Sequence, residues 1–169
     1  MDYIENFSCF EDFELYQDHY CHESVTIFII LVIRHRDPHE RLMPGTATYS
    51  LPEYLTAEMH TYISADKKHD AFFAQKCMLR LLEFKRERGK LKKRYILLSD
   101  GGPAHFKMYR QLAFITLLST MWDDAVFWWI FFQSCHGRGM QDGAGNWVKS
   151  AVAMACLSGA GITDAVDFF

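Results

Sequence analysis

Three aspartates stand where the 169-residue chain is predicted to begin or end a strand or helix. Asp2 opens the first predicted strand, Asp100 ends the fourth, and Asp142 opens the last helix. Carboxylate oxygens are the ligands that Mg²⁺ and similar hard cations prefer, and two such ions about 3.5–4 Å apart can promote phosphoryl transfer. We therefore expect Asp2, Asp100 and Asp142 to form a catalytic site that binds two Mg²⁺ or Mn²⁺ ions.

Each aspartate also has an ordinary structural interpretation. Asp2 follows the first methionine, where chains often fray, and Asp100 precedes two glycines, as in a tight turn. Asp142 suits the N-cap of a helix. The catalytic interpretation thus depends on the three side chains meeting in the folded chain.

The elements that would position these residues follow a defined order. Apolar runs and turn residues predict strands over Asp2–Phe10, Val25–Arg36, Thr46–Tyr54, Tyr95–Ser99 and Ala125–Gln133, and helical spacing predicts helices over Lys67–Arg88, Lys107–Trp122 and Asp142–Leu157. Three strands, a helix, a strand, a helix, a strand and a helix are the order of an RNase H-like α/β fold. We expect a five-stranded mixed sheet, its first three strands antiparallel, flanked by helices.

Composition favours one intracellular domain over residues 1–169. The longest apolar runs, Val25–Ile33 and Ala125–Phe132, are shorter than the roughly 18 residues of a membrane-spanning helix. No basic region followed by an apolar stretch opens the chain, as it would in a signal peptide. Five cysteines without a CxxC pair suggest neither a disulfide framework nor a zinc site.

Charge gives a local rather than a general indication of nucleic-acid binding. The net charge is −3, yet basic residues dominate the segment Lys85–Arg94. This segment is either a patch for phosphates or a solvated helix end and loop.

Four segments carry motifs in a fixed order. Asp2–Cys9 resembles D-x-x-E-N-Y-S-C, Ser64–Asp70 resembles S-x-D-x-x-H-D, Ser99–Lys107 resembles S-D-G-x-x-x-x-F-K, and Ser134–Lys149 resembles S-H-G-K-G-x-x-D-G-x-G-G-x-V-K. These are motifs of transposon-derived RNase H-like catalytic domains, in the DDE/DDD transposase and integrase superfamily. The resemblance spans nearly the whole chain.

The resemblance implies roles for further residues. Asp2, Asp100 and Asp142 would hold the metal ions, and six residues would bind substrate: Glu5, Asn6, His105, Lys107, His136 and Lys149. It also implies that the chain lacks the start of its first strand and any separate DNA-binding domain. DNA, or an RNA–DNA hybrid, would be the substrate, with a homo-oligomer or a DNA-binding partner, no membrane, and a nuclear location in a eukaryote.

The function predicted is divalent-metal-dependent phosphodiester cleavage or strand transfer on DNA by a transposase-like core. One alternative is a catalytically decayed or domesticated core that acts as a nucleic-acid-binding or assembly module. Another is an RNase H-type or junction-resolving nuclease. A soluble α/β domain without metal chemistry also remains open.

Overall fold

A computed structural model describes residues 1–8, 24–40, 52–66, 68–102, 106–122, 125–132, 140–159, 162 and 165–166, without the side chains of residues 2–8 and 140–142. The elements alternate in the order predicted from the sequence. The strands are β1 (Asp2–Ser8), β2 (Ser24–His35), β3 (Leu55–Ser64), β4 (Arg94–Asp100) and β5 (Val126–Phe132), and the helices are α1 (Ala71–Glu87), α2 (Tyr109–Met121) and α3 (Met140–Leu157).

The first three strands form an antiparallel sheet in which β2 is central. Residues 25–30 of β2 are all buried, because both faces of the strand are covered. Phe28 and Ile30 pack with α1, whereas Ile27 and Ile29 pack with Val148 of α3. This double burial explains why the strand reads as a continuous apolar run.

The last two strands form a separate parallel sheet. Leu97 and Phe127 face inward and pack against α1 and α2. The inward face therefore closes the main core cluster, which also contains Met78, Leu82, Phe114, Leu118, Trp122 and Ala125.

The ends of α1 follow from local hydrogen bonding. The carboxylate of Asp70 caps its first turn by accepting a hydrogen bond from the Phe73 N–H at 2.8 Å. Gly89, just beyond the helix, has a φ of 63°, a conformation that glycine adopts without strain. Among the described residues, no helix has both the length and the apolar character that crossing a membrane requires.

The prediction of a five-stranded mixed sheet, and with it the RNase H-like fold, is wrong. The described strands form a three-stranded antiparallel sheet and a two-stranded parallel sheet. The main-chain nitrogen of Met1 donates a hydrogen bond to the Leu98 carbonyl at 2.9 Å, so residue 1 touches β4. From Asp2 onward β1 is paired with β2, and among the described strands no ladder joins the two sheets.

The third observed strand differs from the predicted one. The sequence predicted Thr46–Tyr54, whereas β3 is Leu55–Ser64, and residues 46–51 lie outside the described part. Pro52 begins a turn closed by the Leu55 N–H, which donates to the Pro52 carbonyl at 2.8 Å. The true strand is polar, with the sequence LTAEMHTYIS, so its apolar pattern is weak.

Candidate functional site

Asp100 is the last residue of β4, and its carboxylate is half-buried. Its Oδ1 accepts a hydrogen bond from the Gly102 N–H at 3.3 Å. The Phe106 and Lys107 N–H groups both donate to the Gly102 carbonyl, at 2.9 Å and 3.1 Å. Asp100 thus sits at the mouth of a hydrogen-bonded turn, the local structure that Asp-Gly-Gly predicts.

Glycine at position 102 leaves space beside that carboxylate. A Cβ at this position would lie 3.1 Å from Oδ2 of Asp100 and 3.3 Å from Oδ1. Any larger residue would therefore crowd both oxygens. Glycine at this position therefore leaves the Asp100 oxygens uncrowded, and oxygen donors of this kind suit Mg²⁺ or Mn²⁺.

A buried hydrogen bond fixes the backbone that carries Asp100. Ser99 is fully buried, and its Oγ accepts a hydrogen bond from Nε1 of Trp129 at 2.9 Å. The same Oγ donates to the Asp100 carbonyl at 3.1 Å. Trp129 is itself stacked on Phe131, with ring centroids 5.7 Å apart. Ser99 therefore positions the carboxylate-bearing residue through β5.

Asp2 lies on the strand that touches β4. It pairs with Ile29 of β2, and the residue before it is bonded to Leu98. Asp2 directly follows Met1, and Asp100 lies two residues after Leu98. Because adjacent Cα atoms are about 3.8 Å apart, the backbones of Asp2 and Asp100 are only a few residues from this hydrogen bond. The position of its side chain is outside what the structure describes.

Asp142 lies in the first turn of α3, which begins two residues earlier at Met140, so it is not the N-cap. The helix contacts both β1 and β2. Ala144 and Val148 pack in the cluster formed by the Ile27 and Ile29 side chains. The backbone therefore brings the helix turn of Asp142 against the sheet that contains Asp2, while its carboxylate is among the side chains not described.

The predicted substrate-binding residues are spread around this region. Glu5 and Asn6 lie on β1 where its register with β2 shifts, between Ile4 and Phe7. Lys107 is exposed and precedes α2, and Lys149 is half-buried on α3. His105 and His136 lie outside the described residues, so their substrate-binding roles stay predictions.

A three-ligand metal cluster is not formed by the side chains that the structure describes. Two of the three predicted ligands, Asp2 and Asp142, are not among those side chains. The ligand set and its Mg²⁺ or Mn²⁺ ions therefore stay a prediction.

A partly buried charge cluster lies elsewhere, between the antiparallel sheet and α1. Glu58 of β3 accepts hydrogen bonds from Lys85 and from Nε of Arg34, the latter at 2.5 Å. Arg34 also donates to both carboxylate oxygens of Glu40, at 2.8 Å and 2.9 Å. Lys85 is only 6% exposed. The sequence analysis missed this cluster. Its only traces in the sequence are a charged residue in each of two strands, Arg34 and Glu58, and a lysine near the end of a helix, Lys85.

The charges in this cluster shift one another's pKa values. Burial opposes ionisation of Glu58, but the Lys85 and Arg34 hydrogen bonds outweigh it and lower its pKa to about 2. The pKa of Arg34 is raised, mainly by its hydrogen bond to Glu40. The pKa of His60 is lowered by burial and then by the charge of Lys85. The cluster is thus ionised, with a neutral imidazole beside it, at neutral pH.

His60 also borders a groove of about 570 Å³ between β3 and α1. Its Nε2 lies 3.6 Å from the Glu58 carboxylate and has no hydrogen-bond partner among the described residues. Tyr62, Arg80, Phe84 and Glu87 line the same groove. The lining is mixed in charge, and the Glu58 carboxylate beside His60 is already bound by Lys85 and Arg34, so this groove is a poorer candidate for chemistry than the turn at Asp100.

The whole chain, residues 1–169, matches the model of a family described as a domain of unknown function, DUF8701. The chain belongs to this family. No curated protein and no solved structure matches it. The family description assigns no activity, so the resemblance to transposon-derived domains remains a prediction from the motifs.

Proposed function

We propose that the chain cleaves phosphodiester bonds in DNA in a divalent-metal-dependent reaction that uses Asp2, Asp100 and Asp142. The observation that carries the proposal is the hydrogen bond from Met1 to Leu98, which joins the start of β1 to the strand ending in Asp100. Contact of α3 with β1 supports the third member of the set. β1 thus neighbours both other carboxylate-bearing elements, because α3 packs on it and the residue before it is hydrogen-bonded to β4.

Two features of Asp100 support the proposal that it is a metal ligand. Its Oδ2 faces the space left by Gly102, and in the described part of the chain no lysine or arginine forms an ion pair with it. Two divalent ions, when bound, would activate an attacking water or 3′-hydroxyl and stabilise the leaving oxygen. Ser99 keeps the carboxylate-bearing backbone in place, and the exposed ammonium of Lys107 can approach the charge of a phosphate.

Cleavage of labelled single-stranded and duplex DNA in Mg²⁺ or Mn²⁺ tests the proposal. Asp100→Asn and Asp142→Asn should each abolish cleavage while leaving the thermal unfolding midpoint nearly unchanged. Asp66→Asn is the matched control, because the Asp66 carboxylate also accepts a backbone N–H two residues ahead, at 3.1 Å from Lys68. Cleavage that persists in the Asp100 and Asp142 variants would contradict the proposal and indicate a contaminating nuclease.

A further inference from the structure

The outer face of the β4–β5 sheet is apolar and exposed. Side chains alternate along a strand, so one face of this sheet carries five large apolar residues: Ile96, Leu98, Val126, Trp128 and Ile130. Each is between 48% and 62% exposed. Parallel sheets are normally covered on both faces, and a contiguous apolar patch marks an interaction surface. This face is therefore a candidate interaction surface.

Basic side chains stand at one end of that face. The segment Lys85–Arg94 holds seven basic residues and one acidic residue in a chain of net charge −3. Six of the seven are exposed, and none of these six forms an ion pair within the described ranges: Arg86, Arg88, Lys90, Lys92, Lys93 and Arg94. The guanidinium of Arg88 stacks on the Phe84 ring, 4.0 Å from its centroid, and the charges of the other five are available to an anionic ligand.

The basic segment is held in place against the sheet. The Val126 N–H donates to the Lys93 carbonyl at 2.8 Å, and the Lys92 N–H donates to the Tyr95 hydroxyl at 2.8 Å. Arg94 is the first residue of β4 and shares its outer face with Ile96. The positive charge therefore continues directly into the apolar face.

Asp100 lies on the same face at the opposite end of β4. It is six residues beyond Arg94, an even number, so the two side chains project to the same side of the strand. At roughly 3.3 Å per residue, about 20 Å separates them. The face thus runs from a basic segment, past an exposed tryptophan, to the proposed catalytic carboxylate.

We infer that this face binds a single strand of nucleic acid, with phosphates on the basic segment and a base stacked on Trp128. Charge complementarity selects a polyanion, and an aromatic ring on an exposed sheet stacks on unpaired bases of any sequence. A duplex hides its base faces and cannot use Trp128 in this way. DNA and RNA share this chemistry.

The inference extends the proposed function by naming a single-stranded part of the substrate, and it rests on that function only for the direction of the strand toward Asp100. Binding itself requires no metal ion. A span of about 20 Å accommodates about six nucleotides at ~3.4 Å each, so 12-nucleotide probes are long enough.

Fluorescence anisotropy in EDTA tests the inference with a labelled 12-nucleotide DNA strand, the same RNA strand and a 12-base-pair DNA duplex. Trp128→Ala should weaken single-strand binding about fivefold or more. Duplex binding should stay within twofold, and Trp128→Phe should retain most of the single-strand affinity. Trp147→Ala is the matched control, since Trp147 is 64% exposed on α3, and it should change neither affinity.

Salt titration tests the basic segment separately. Lys92→Gln with Lys93→Gln should reduce the slope of log K against log salt by about 0.7 for each lost phosphate contact on a single strand. Lys76→Gln, an exposed charge on α1 outside the segment, should leave the slope unchanged. An unchanged slope in the Lys92 and Lys93 variant would overturn the inference.

Three other outcomes would also overturn it: no binding of either single strand, equal losses of affinity for single strand and duplex in Trp128→Ala, or more than tenfold preference for DNA over RNA or the reverse.

Failure of the proposed function would give different results. Wild-type chain that binds single strands through Trp128 but never cleaves them with Mg²⁺ or Mn²⁺ would contradict the nuclease alone. Cleavage independent of Trp128 and of the basic segment would contradict the binding face alone.

Discussion

Glu58→Gln should destabilise the fold far more than its partly exposed position suggests. The substitution keeps the shape of the side chain but removes the negative charge that Lys85 and Arg34 both contact. The Lys85 side chain is 7% exposed, so its ammonium would be left buried without an anion. Removing one partner of a fully buried pair costs about 3–5 kcal/mol, and with the Glu58 side chain 25% exposed we expect about 2–4 kcal/mol.

Urea denaturation followed by circular dichroism measures this loss. With a denaturant slope of about 2–3 kcal/mol/M, the unfolding midpoint should fall by about 1 M. Glu83→Gln is the matched control, because Glu83 pairs at 3.5 Å with Arg80, whose side chain is 79% exposed. Surface pairs contribute about 0–1 kcal/mol. Equal, small losses in the two variants would refute the reasoning.

The pH dependence of this stabilisation has a definite sign. The pKa of Glu58 is lowered from 4.5 to about 2 in the folded chain. Such a group stabilises the fold above the unfolded pKa of 4.5, and its contribution is lost as pH falls toward 2. The stability difference between wild type and Glu58→Gln should therefore shrink between pH 5 and pH 3.

Three further variants test other parts of the structure. Because burial lowers the pKa of His60, wild-type stability should fall as pH drops below about 6.5, and His60→Gln should flatten that dependence in urea titrations. Gly102→Ala should reduce metal-dependent cleavage roughly tenfold by displacing the Asp100 carboxylate, with little change in thermal midpoint. Ser99→Ala should cost about 1–3 kcal/mol in denaturant titrations, because the Trp129 N–H loses its acceptor.

Matched substitutions make these results interpretable. Gly89→Ala should affect stability more than activity, the reverse of what we expect for Gly102→Ala. The φ of 63° at Gly89 strains alanine, while nothing lies within 4 Å of the added Cβ. It should lower stability by about 1 kcal/mol and reduce cleavage less than Gly102→Ala does, because the Asp100 carboxylate stays in place. Equal activity losses in both glycine variants, a pH dependence unchanged in His60→Gln, or full stability in Ser99→Ala would each contradict the corresponding account.

Local sequence signals predicted the elements well where burial is simple. The apolar run of β2 and the helical spacing of α1 were recognised because each buried surface leaves a periodic trace. β3 was misplaced because its Glu58 and His60 face a charge cluster rather than an apolar core. Its pattern is set by partners on β2 and α1, which are distant in sequence.

Sheet arrangement could not be predicted from those signals. Whether β1 forms a ladder with β4 depends on where the two backbones meet. In the described part of the chain Met1 is hydrogen-bonded to Leu98 of β4, while β1 from Asp2 onward pairs with β2. Asp100 was identifiable from the turn residues Gly101 and Gly102 that follow it. The exposed face around Trp128 was not, because an apolar strand in sequence does not reveal which of its faces is covered.

Manganese anomalous diffraction from crystals of the full chain tests the central claim most directly. We expect a Mn²⁺ peak with carboxylate oxygens of Asp100, Asp142 and Asp2 around it, at about 2.1 Å from the ion. Well-ordered carboxylates of Asp2 or Asp142 lying more than about 10 Å from Asp100, too far to share a two-metal site, would contradict it.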